Sequence, residues 1–240
     1  MDKKTAKYRW TLGKEIKHGE ALVEALRRGH TSKRHLLKHT TRTDEGLIDL
    51  RGLSFGKVVE FKRAKFQGLD FSYTSFGHPV FSHCTFEEVL FREISSDRWN
   101  ERKCRFTDVD FYKAGLQNAG IGIRGSTYLH VSFRGINFSG ASFIRPQFTD
   151  CNFSDARIRG IDFLVSNFVN CKFRGKLKGV WFRRYYPLPS YEKTHGKAVP
   201  NEMHNVDFSE ADLWDVMYTG GLDLTQVILP QDGSHILLHH

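Results

Sequence analysis

Cysteine is the residue type in this sequence that most often carries chemistry. The four cysteines form two pairs with a spacing of 20 residues, Cys84 with Cys104 and Cys151 with Cys171. Such thiols could form disulfides, bind a metal or act as nucleophiles. Each one lies two residues before a phenylalanine, at a position held elsewhere by Ala, Val, Thr or Ile. We therefore predict that all four point inward as small structural side chains.

The other titratable residues show no spacing typical of a catalytic or metal site. The sequence contains no glycine-rich phosphate loop and no Cys/His set with zinc-ligand spacing. We therefore predict that the protein is not an enzyme and needs no metal or cofactor. A set of Asp and Asn side chains is expected to serve turns and solvent rather than acid–base catalysis: Asp70, Asp110, Asn137, Asn152, Asp162, Asn167, Asp207 and Asp212.

The histidines are interpreted in the same way. His78 and His83 lie five residues apart and are expected to face adjacent sides of the molecule. His235, His239 and His240 could bind a metal weakly, but a solvated tail over residues 231–240 is the simpler interpretation.

A basic and aromatic segment over about residues 183–205 is the strongest candidate for a binding surface. It contains four cations, opposed by Glu192, and three tyrosines. Pro187 and Pro189 stiffen the chain, which lowers the entropy cost of ordering it on a partner. The residues predicted to contact a partner here are Arg183, Arg184, Tyr185, Tyr186, Tyr191, Lys193 and Lys197.

A shorter segment, about residues 92–103, is the second candidate. It lacks phenylalanine, although phenylalanine recurs regularly on both sides of it. We predict a loop that leaves the core and offers Arg98, Trp99 and Arg102 to a partner. A bulge without a function is the alternative.

The element that must position these segments is a five-residue repeat. A period of five is neither helical nor strand-like, so the chain must turn a corner every five residues. The repeated residue and the residue two before it point inward, and the other three point outward. The register slips by two residues across Gly115–Gly125, and a second register begins at Ile123. The predicted core comprises Phe61, Phe66, Phe71, Phe76, Phe81, Phe86, Phe91, Phe106, Phe111, Phe133, Phe138, Phe143, Phe148, Phe153, Phe163, Phe168, Phe173 and Phe208.

The repeat resembles the pentapeptide-repeat family, whose unit reads roughly Ala-(Asp/Asn)-(Leu/Phe)-X-X. Residues 48–52, 141–145, 151–155 and 211–215 match that unit well. The resemblance implies an all-β solenoid, namely a right-handed quadrilateral β-helix with four repeats in each coil. We expect it to span residues 47–230 in about seven coils, with inserted loops at about 92–103 and 183–205. It does not imply one function, since family members bind other proteins for varied ends.

Residues 1–46 lack the five-residue period. Apolar spacing predicts a helix over about Leu12 to Arg28, ended by Gly29. Thr31 or Ser32 could cap a short second helix. Because a first coil exposes unpaired backbone and apolar rings, we predict that this segment is a helical cap. A basic arm that binds a partner is the alternative.

The charge is distributed unevenly. The chain of 240 residues has a formal net charge of +9, whereas residues 201–240 contain seven carboxylates and neither Lys nor Arg. No run of about 18 apolar residues suggests a membrane span. The charged start of the sequence lacks the apolar region of a signal peptide, so we expect a cytoplasmic protein that does not associate with membranes.

Three functions remain open from the sequence. The first is a non-catalytic scaffold that presents its faces and the basic aromatic segment to a protein partner. The second follows from the resemblance to plasmid-borne quinolone-resistance proteins, which imply binding to DNA gyrase, a type II topoisomerase, by mimicry of DNA. The third is nucleic-acid binding through the basic segment and the N-terminal arm. A homodimer formed through the last coil is a further hypothesis.

Overall fold

The computed structural model describes residues 1–56, 58–231 and 233. The three histidines predicted to form a solvated tail therefore lie outside the described residues. The helices are α1 (Lys3–Arg9), α2 (Gly13–Arg27), α3 (Lys33–Leu36) and α4 (Pro189–His195).

Short parallel strands make up most of the chain from residue 48 onward. The strands of the first half are β1 (Ile48–Asp49), β2 (Val58–Lys62), β3 (Lys65–Asp70), β4 (Ser75–Phe76), β5 (His78–Ser82), β6 (Thr85–Leu90), β7 (Ser95–Ser96), β8 (Asn100–Arg102), β9 (Arg105–Asp110) and β10 (Gly120–Ile123). Those of the second half are β11 (Thr127–Leu129), β12 (Ser142–Ile144), β13 (Gln147–Thr149), β14 (Asn152–Ser154), β15 (Ile158–Arg159), β16 (Asp162–Leu164), β17 (Asn167–Val169), β18 (Lys172–Arg183), β19 (Val206–Thr219) and β20 (Val227–Ile228).

The strands form the quadrilateral β-helix predicted from the five-residue period. Each strand pairs with strands one coil before and after it, as in the series β3–β6–β9. Four rows of inward side chains therefore run along the molecule, and each row is named here after one phenylalanine. The Phe66 row is Phe66, Phe86, Phe106, Tyr128, Phe148, Phe168 and Met203. The Phe71 row is Leu50, Phe71, Phe91, Phe111, Phe133, Phe153, Phe173, Phe208 and Leu229.

The other two rows complete the square. The Phe76 row is Phe55, Phe76, Ser96, Leu116, Phe138, Ile158, Leu177 and Leu213. The Phe81 row is Phe61, Phe81, Glu101, Ile121, Phe143, Phe163, Phe182 and Tyr218. The Phe71 row has nine members, so the solenoid makes about nine turns rather than the predicted seven.

Ring stacking holds much of the core together along the Phe66, Phe71 and Phe81 rows. The ring of Phe86 lies 4.9 Å from that of Phe66 and 4.6 Å from that of Phe106, with the planes nearly parallel. These separations match the spacing of neighbouring strands, because each ring sits on a strand. Rings from adjacent rows meet edge to face, as Phe61 and Phe66 do. All the predicted core phenylalanines are at most 3% exposed.

Left-handed backbone conformations turn the chain at the corners. The residue two after many inward residues has a φ between 50° and 65°, and non-glycine residues hold many of these positions. Arg63, His83, Lys103 and Arg145 are the examples at the corner between the Phe81 and Phe66 rows. The side chains of Arg63, His83 and Lys103 are exposed at this corner. Val165, at the same corner of a later coil, is buried.

The segment over residues 92–103 is part of the coil, and its prediction as an inserted loop is wrong. Its strands β7 and β8 pair in register with β4 and β5 of the preceding coil. The five-residue spacing continues without interruption from Phe91 through Ser96 and Glu101 to Phe106. The repeat was missed because a serine and a glutamate stand where phenylalanine is usual.

The register slip lies one repeat later than predicted, because the first register continues from Leu116 to Ile121. Ile121 is the buried member of the Phe81 row, whereas Ile123 pairs with Arg102 in β8 and is half-buried. The two extra residues fall between Ile121 and Tyr128. Gly122 adopts a φ of +75°, and a Cβ there would lie 2.5 Å from the ring of Pro146, so only glycine fits this bulge.

The three N-terminal helices pack on the first coil. Trp10, Leu22, Leu26 and Leu36 belong to the same buried cluster as the rings of the solenoid. The Trp10 indole donates a hydrogen bond of 2.8 Å to the carbonyl of Arg51. Helix α2 has nearly the predicted bounds, and Ser32 precedes α3, although α1 was not predicted.

An ion pair joins the helices to the solenoid. The Arg9 guanidinium contacts the carboxylate of Asp49 at 2.6 Å, and Arg51 contacts it at 2.9 Å. Burial raises the pKa of Asp49, but the hydrogen bond from Arg51 and the charges of both arginines outweigh it and lower that pKa. At Gly52, an added Cβ would lie 1.9 Å from the carbonyl oxygen of Ala6, so α1 approaches the coil backbone closely.

Candidate functional site

Within the described residues, one insertion leaves the solenoid, and its bounds are narrower than predicted. Strand β18 continues through Arg183, and Met203 already occupies the Phe66 row. The excursion therefore spans residues 185–200, and it is called the arm below. Its ends are held together by a hydrogen bond of 3.3 Å from the amide of Asn201 to the carbonyl of Arg184.

The arm contains a short helix and folds back on the solenoid. Helix α4 begins with Pro189 in its first turn, where proline suits the helix geometry. The Arg145 guanidinium donates a hydrogen bond to the carbonyl of His195 at the end of that helix. The arm is therefore anchored at a second point, two coils before its base.

A cluster of three rings stiffens the arm from within. The ring of Tyr191 lies 6.1 Å from that of Tyr186 and 5.8 Å from that of His195. The Tyr186 hydroxyl donates a hydrogen bond of 3.0 Å to the carbonyl of Gly196, and burial raises the pKa of Tyr186. Tyr186 and Tyr191 are half-buried and act mainly as internal supports, although they were predicted to contact a partner.

The surface of the arm combines apolar side chains with cations. Tyr185, Leu188 and Val199 are 52%, 57% and 55% exposed, and Lys193 and Lys197 are exposed as well. Sequence reasoning did not select Leu188 and Val199, because an isolated aliphatic residue gives no signal without its exposure.

The two arginines predicted at the start of the arm belong to the coil instead. Arg183 contacts the carboxylate of Asp162 on the neighbouring coil at 2.7 Å. Arg184 donates a hydrogen bond of 2.6 Å to the carbonyl of Gly221, and its guanidinium lies over the ring of Tyr185 at 5.3 Å. These contacts fix the base of the arm. The exposed Lys and Arg side chains of the arm itself are therefore Lys193 and Lys197.

The second set of predicted contact residues, Arg98, Trp99 and Arg102, does not form one surface. Trp99 is 2% exposed and packs in the core, so it cannot contact a partner and its prediction is wrong. Arg98 and Arg102 remain exposed, but they lie at different corners of the coil. Trp99 is buried because its indole fills the space beside Ser96 and Glu101, where two phenylalanine rings are missing.

The cysteines lie where the sequence placed them. All four are free and buried. Strand pairing stacks Cys84 on Cys104 and Cys151 on Cys171, so the first pair is also in register. The contact with Cys84, together with burial, raises the pKa of Cys104, and burial does the same for Cys151. Thiolates, the reactive form, are therefore disfavoured at both positions.

Several of the predicted turn residues hold the backbone at corners. The carboxylates of Asp70, Asp110 and Asp207 each accept a hydrogen bond from the amide two residues later, at 2.8–2.9 Å. Asn137 and Asn152 accept the same kind of bond. This arrangement explains the Asp/Asn position of the repeat without any catalytic role.

Among the described residues, Glu101 is the carboxylate least exposed to solvent, at 1%. Its carboxylate accepts hydrogen bonds from the amide of Gly122 and from the hydroxyls of Ser126 and Tyr128. Burial raises the pKa of Glu101 from the usual 4.5 to about 7, although these three bonds oppose the shift. The bulge at Gly122 supplies one of the three donors, so the register slip and the buried carboxylate belong together.

The acidic C-terminal segment is paired with basic residues of the preceding coil. Strand β19 lies beside β18, and the Lys172 ammonium contacts the Glu210 carboxylate at 2.6 Å. Arg174 contacts the same carboxylate at 3.5 Å, and Lys176 lies 3.8 Å from Asp212. Lys172 correspondingly lowers the pKa of Glu210. The two charge blocks of the sequence therefore form one ladder across neighbouring strands.

Metal binding requires a cluster of ligating side chains, and a helical membrane span requires a long apolar helix. In the part of the chain that the structure describes, no group of three or more His, Cys, Asp or Glu side chains is arranged to hold a metal ion. Within the same residues, no helix is both long and apolar enough to span a membrane.

Comparison with known proteins agrees with the repeat and the coils. Patterns defined as pentapeptide repeats match residues 50–95, in nine copies, and residues 130–160 and 147–175, in eight copies. Both matched regions lie on the coils described above. Both halves of the solenoid therefore contain pentapeptide repeats. No functionally curated protein matches the sequence.

Many solved structures match this chain, and HetL, QnrB1 and Rfr23 are three of them. HetL from the cyanobacterium Nostoc sp. strain PCC 7120, a protein involved in regulation of heterocyst differentiation, is 16% identical with a TM-score of 0.29, covering 72% of this chain and 83% of HetL. A trypsin-treated form of QnrB1, a plasmid-mediated fluoroquinolone resistance protein, is 17% identical with a TM-score of 0.31, covering 69% of this chain and 88% of that one. Rfr23 from Cyanothece 51142 is 11% identical with a TM-score of 0.16, covering 75% and 87%. At these identities and scores, none of the three assigns a function to this chain.

Proposed function

We propose that this protein is a non-catalytic scaffold that binds a protein partner through the arm. The observation that carries the proposal is the composition of the arm surface, where Tyr185, Leu188 and Val199 are exposed beside Lys193 and Lys197. Protein interfaces concentrate binding energy in aromatic and apolar side chains within a polar rim. The arm offers both in one place.

The internal contacts of the arm support the same function. The bonds to His195 and Gly196 and the packing of Tyr186 on Tyr191 hold the backbone in one conformation. A partner therefore meets a largely ordered surface, and less conformational entropy is lost on binding. The repeats on either side remain in register, so the coil does not depend on the arm.

Binding to DNA gyrase is the alternative that the sequence resemblance to quinolone-resistance proteins suggests. Mimicry of DNA requires a surface with uncompensated negative charge. The carboxylates of Glu210 and Asp212 contact Lys172, Arg174 and Lys176 instead. This charge ladder favours the general protein-binding role over gyrase mimicry. Nucleic-acid binding by a free N-terminal arm is also less favoured, because residues 1–46 pack on the first coil.

The test is to exchange residues 185–200 for a short Gly/Ser link. The variant should keep its unfolding transition, because Arg184 and Asn201 are already hydrogen-bonded neighbours. A partner recovered from an extract of the native host by the full-length chain should bind the variant at least about tenfold more weakly. The paired substitution Tyr185→Ala and Leu188→Ala should weaken binding as well.

The matched control is Leu12→Ala with Ile16→Ala, which removes exposed apolar groups from the N-terminal segment. It should leave the affinity unchanged. Full binding by the arm exchange would exclude the arm as the site. Inhibition of purified gyrase that persists in the arm exchange would instead favour the gyrase alternative.

A further inference from the structure

A line of cations follows the corner between the Phe81 row and the Phe66 row. The scaffold function proposed above does not use them. Six of them come from the two outward positions after a member of the Phe81 row and from the one before a member of the Phe66 row, and Arg124 lies in the bulge between Ile121 and Tyr128. The basic ridge, as we call this line, consists of Lys62, Arg63, Lys65, Arg102, Lys103, Arg105 and Arg124.

Strand register arranges six of these residues as two triads. Lys62 aligns with Ser82, and Ser82 aligns with Arg102. On the next side, Lys65 aligns with Thr85 and then Arg105 in the same order. The triads therefore lie two coils apart, or about 10 Å at the usual strand spacing. The coil between them presents the short side chains of Ser82 and Thr85 together with His83.

The positive charge of the ridge is neutralised by fewer carboxylates than the positive charge of β18. The cations of β18 contact acids of β19, whereas ridge residues have two such contacts, Lys62 with Glu60 and Lys65 with Glu87, both at 3.1 Å. Among the described residues, no carboxylate lies within 4.0 Å of the other five ridge cations. All seven are exposed. Their mutual repulsion would be relieved by an anion from outside.

The chemistry of the ridge indicates what kind of anion fits. Its seven members are all Lys or Arg, and the coil between the triads adds two hydroxyls and one imidazole. A protein interface needs apolar or aromatic anchors, as the arm has, and lysine is depleted from interface centres. A phosphodiester backbone needs only cations that follow a line, and it accepts flexible side chains at regular spacing.

We propose that the basic ridge binds the phosphodiester backbone of a nucleic acid without regard to base sequence. The arm leaves the solenoid at this same corner, since Arg184 and Asn201 occupy the equivalent positions later in the chain. Arg145 lies between Arg124 and the arm and contacts both regions, with its guanidinium 3.6 Å from the Cβ position of Gly125. The ridge and the arm are therefore neighbouring surfaces for two different partners.

The experiment compares two triple variants of equal charge. Arg102→Gln, Lys103→Gln and Arg105→Gln remove one triad of the ridge. Arg157→Gln, Arg159→Gln and Lys178→Gln remove three exposed cations from the Phe76 side and serve as the control. Binding is measured by fluorescence anisotropy with labelled oligonucleotides of about 20 nucleotides, single-stranded and duplex, over a range of salt concentrations.

The full-length chain should bind at low salt, with an affinity that falls steeply as salt is added. The ridge variant should bind at least about tenfold more weakly, and its salt slope should be lower by about two to three units for duplex DNA. The control should remain within about twofold of the unchanged chain. Equal losses in both variants would show a response to net charge alone and would overturn the proposal.

Two further probes separate other anionic partners from nucleic acid. Vesicles containing phosphatidylserine and soluble polyglutamate present negative charge without a phosphodiester chain. The ridge variant should weaken oligonucleotide binding more than it weakens binding of either probe. An equally large loss of affinity for vesicles or polyglutamate would overturn the assignment to nucleic acid. Absence of oligonucleotide binding at low salt would overturn it as well. The arm exchange should leave oligonucleotide binding largely intact, so failure here is distinguishable from failure of the scaffold function.

Discussion

The indole of Trp99 lies 4.7 Å from the ring of Phe81, measured between ring centroids. It also meets the rings of Phe76, Phe91 and Phe111 at 5.3–6.0 Å. One large side chain thus contacts three of the four rows and closes the coil in which Ser96 and Glu101 replace phenylalanine. The coil keeps its packing although two of its central rings are absent.

Removing this indole should be costly. Trp99→Ala should lower the free energy of unfolding by roughly 3–5 kcal/mol, because it leaves a cavity at the centre of the solenoid. Trp214→Ala is the matched control, since that side chain is 54% exposed and its ring contacts Lys176. Urea titration measures both, and a similar small effect for the two would contradict the buried position of Trp99.

Glu101 should make stability depend on pH. Its pKa is about 7 in the folded chain and 4.5 in the usual reference state. The folded chain therefore keeps a proton that the unfolded chain releases between these values, so the free energy of unfolding should fall as pH rises from about 4.5 to about 7. Between pH 5 and pH 8 the loss should amount to roughly 2–3 kcal/mol.

Glu101→Gln isolates this effect, because the amide is neutral and similar in shape. The variant should lose most of the pH dependence in urea titrations at about pH 5 and pH 8. Glu88→Gln, at an exposed corner, should retain it. A variant with an unchanged pH profile would mean that another group titrates.

The cysteines should react slowly while the chain is folded. All four are 2% exposed or less, and burial disfavours the thiolate at Cys104 and Cys151. A thiol-specific reagent under non-reducing conditions should therefore modify them only at the rate of unfolding. The same reagent in urea should modify all four promptly. Fast modification of the folded protein would contradict the inward orientation of the reacting cysteine.

The C-terminal end of the solenoid should mediate self-association. Trp214, Met217 and Ile228 are 54%, 43% and 48% exposed, and Leu213, Tyr218 and Leu229 only partly cover the end of the core. A second copy placed end to end would bury this apolar surface. Sedimentation should report a dimer whose population depends on concentration, and Met217→Glu with Ile228→Glu should shift it to monomer. A monomer at all practical concentrations would exclude this interface.

The period of five predicted the fold because it is carried by large side chains that must face one core. It did not predict in which coils another residue type stands in place of phenylalanine. Ser96 and Glu101 keep the spacing without the residue type, so the segment was interpreted as a loop. The interval from Phe91 to Phe106 is three repeats, and this spacing alone was the available signal. The compensating role of Trp99 needs three-dimensional packing and has no counterpart in the sequence.

The binding surfaces were predicted less well, for a physical reason. Sequence composition found the arm, because its cations and tyrosines are contiguous. It could not show that Arg183 pairs with Asp162 and that Arg184 donates to Gly221, because those partners come from other coils. It also missed the basic ridge, whose two triads lie 40 residues apart in sequence. The ridge emerges only when the coils are aligned by their strand pairing.

The hydrogen bond between Asn201 and Arg184 has a practical consequence for protein engineering. It closes the coil beneath the arm, so chain entry and chain exit are held side by side whatever lies between them. The entropy cost of a longer excursion rises only slowly with its length. Residues 185–200 could therefore be exchanged for a foreign peptide or a small domain. The solenoid would then serve as a display platform, or as a site for new chain termini after circular permutation.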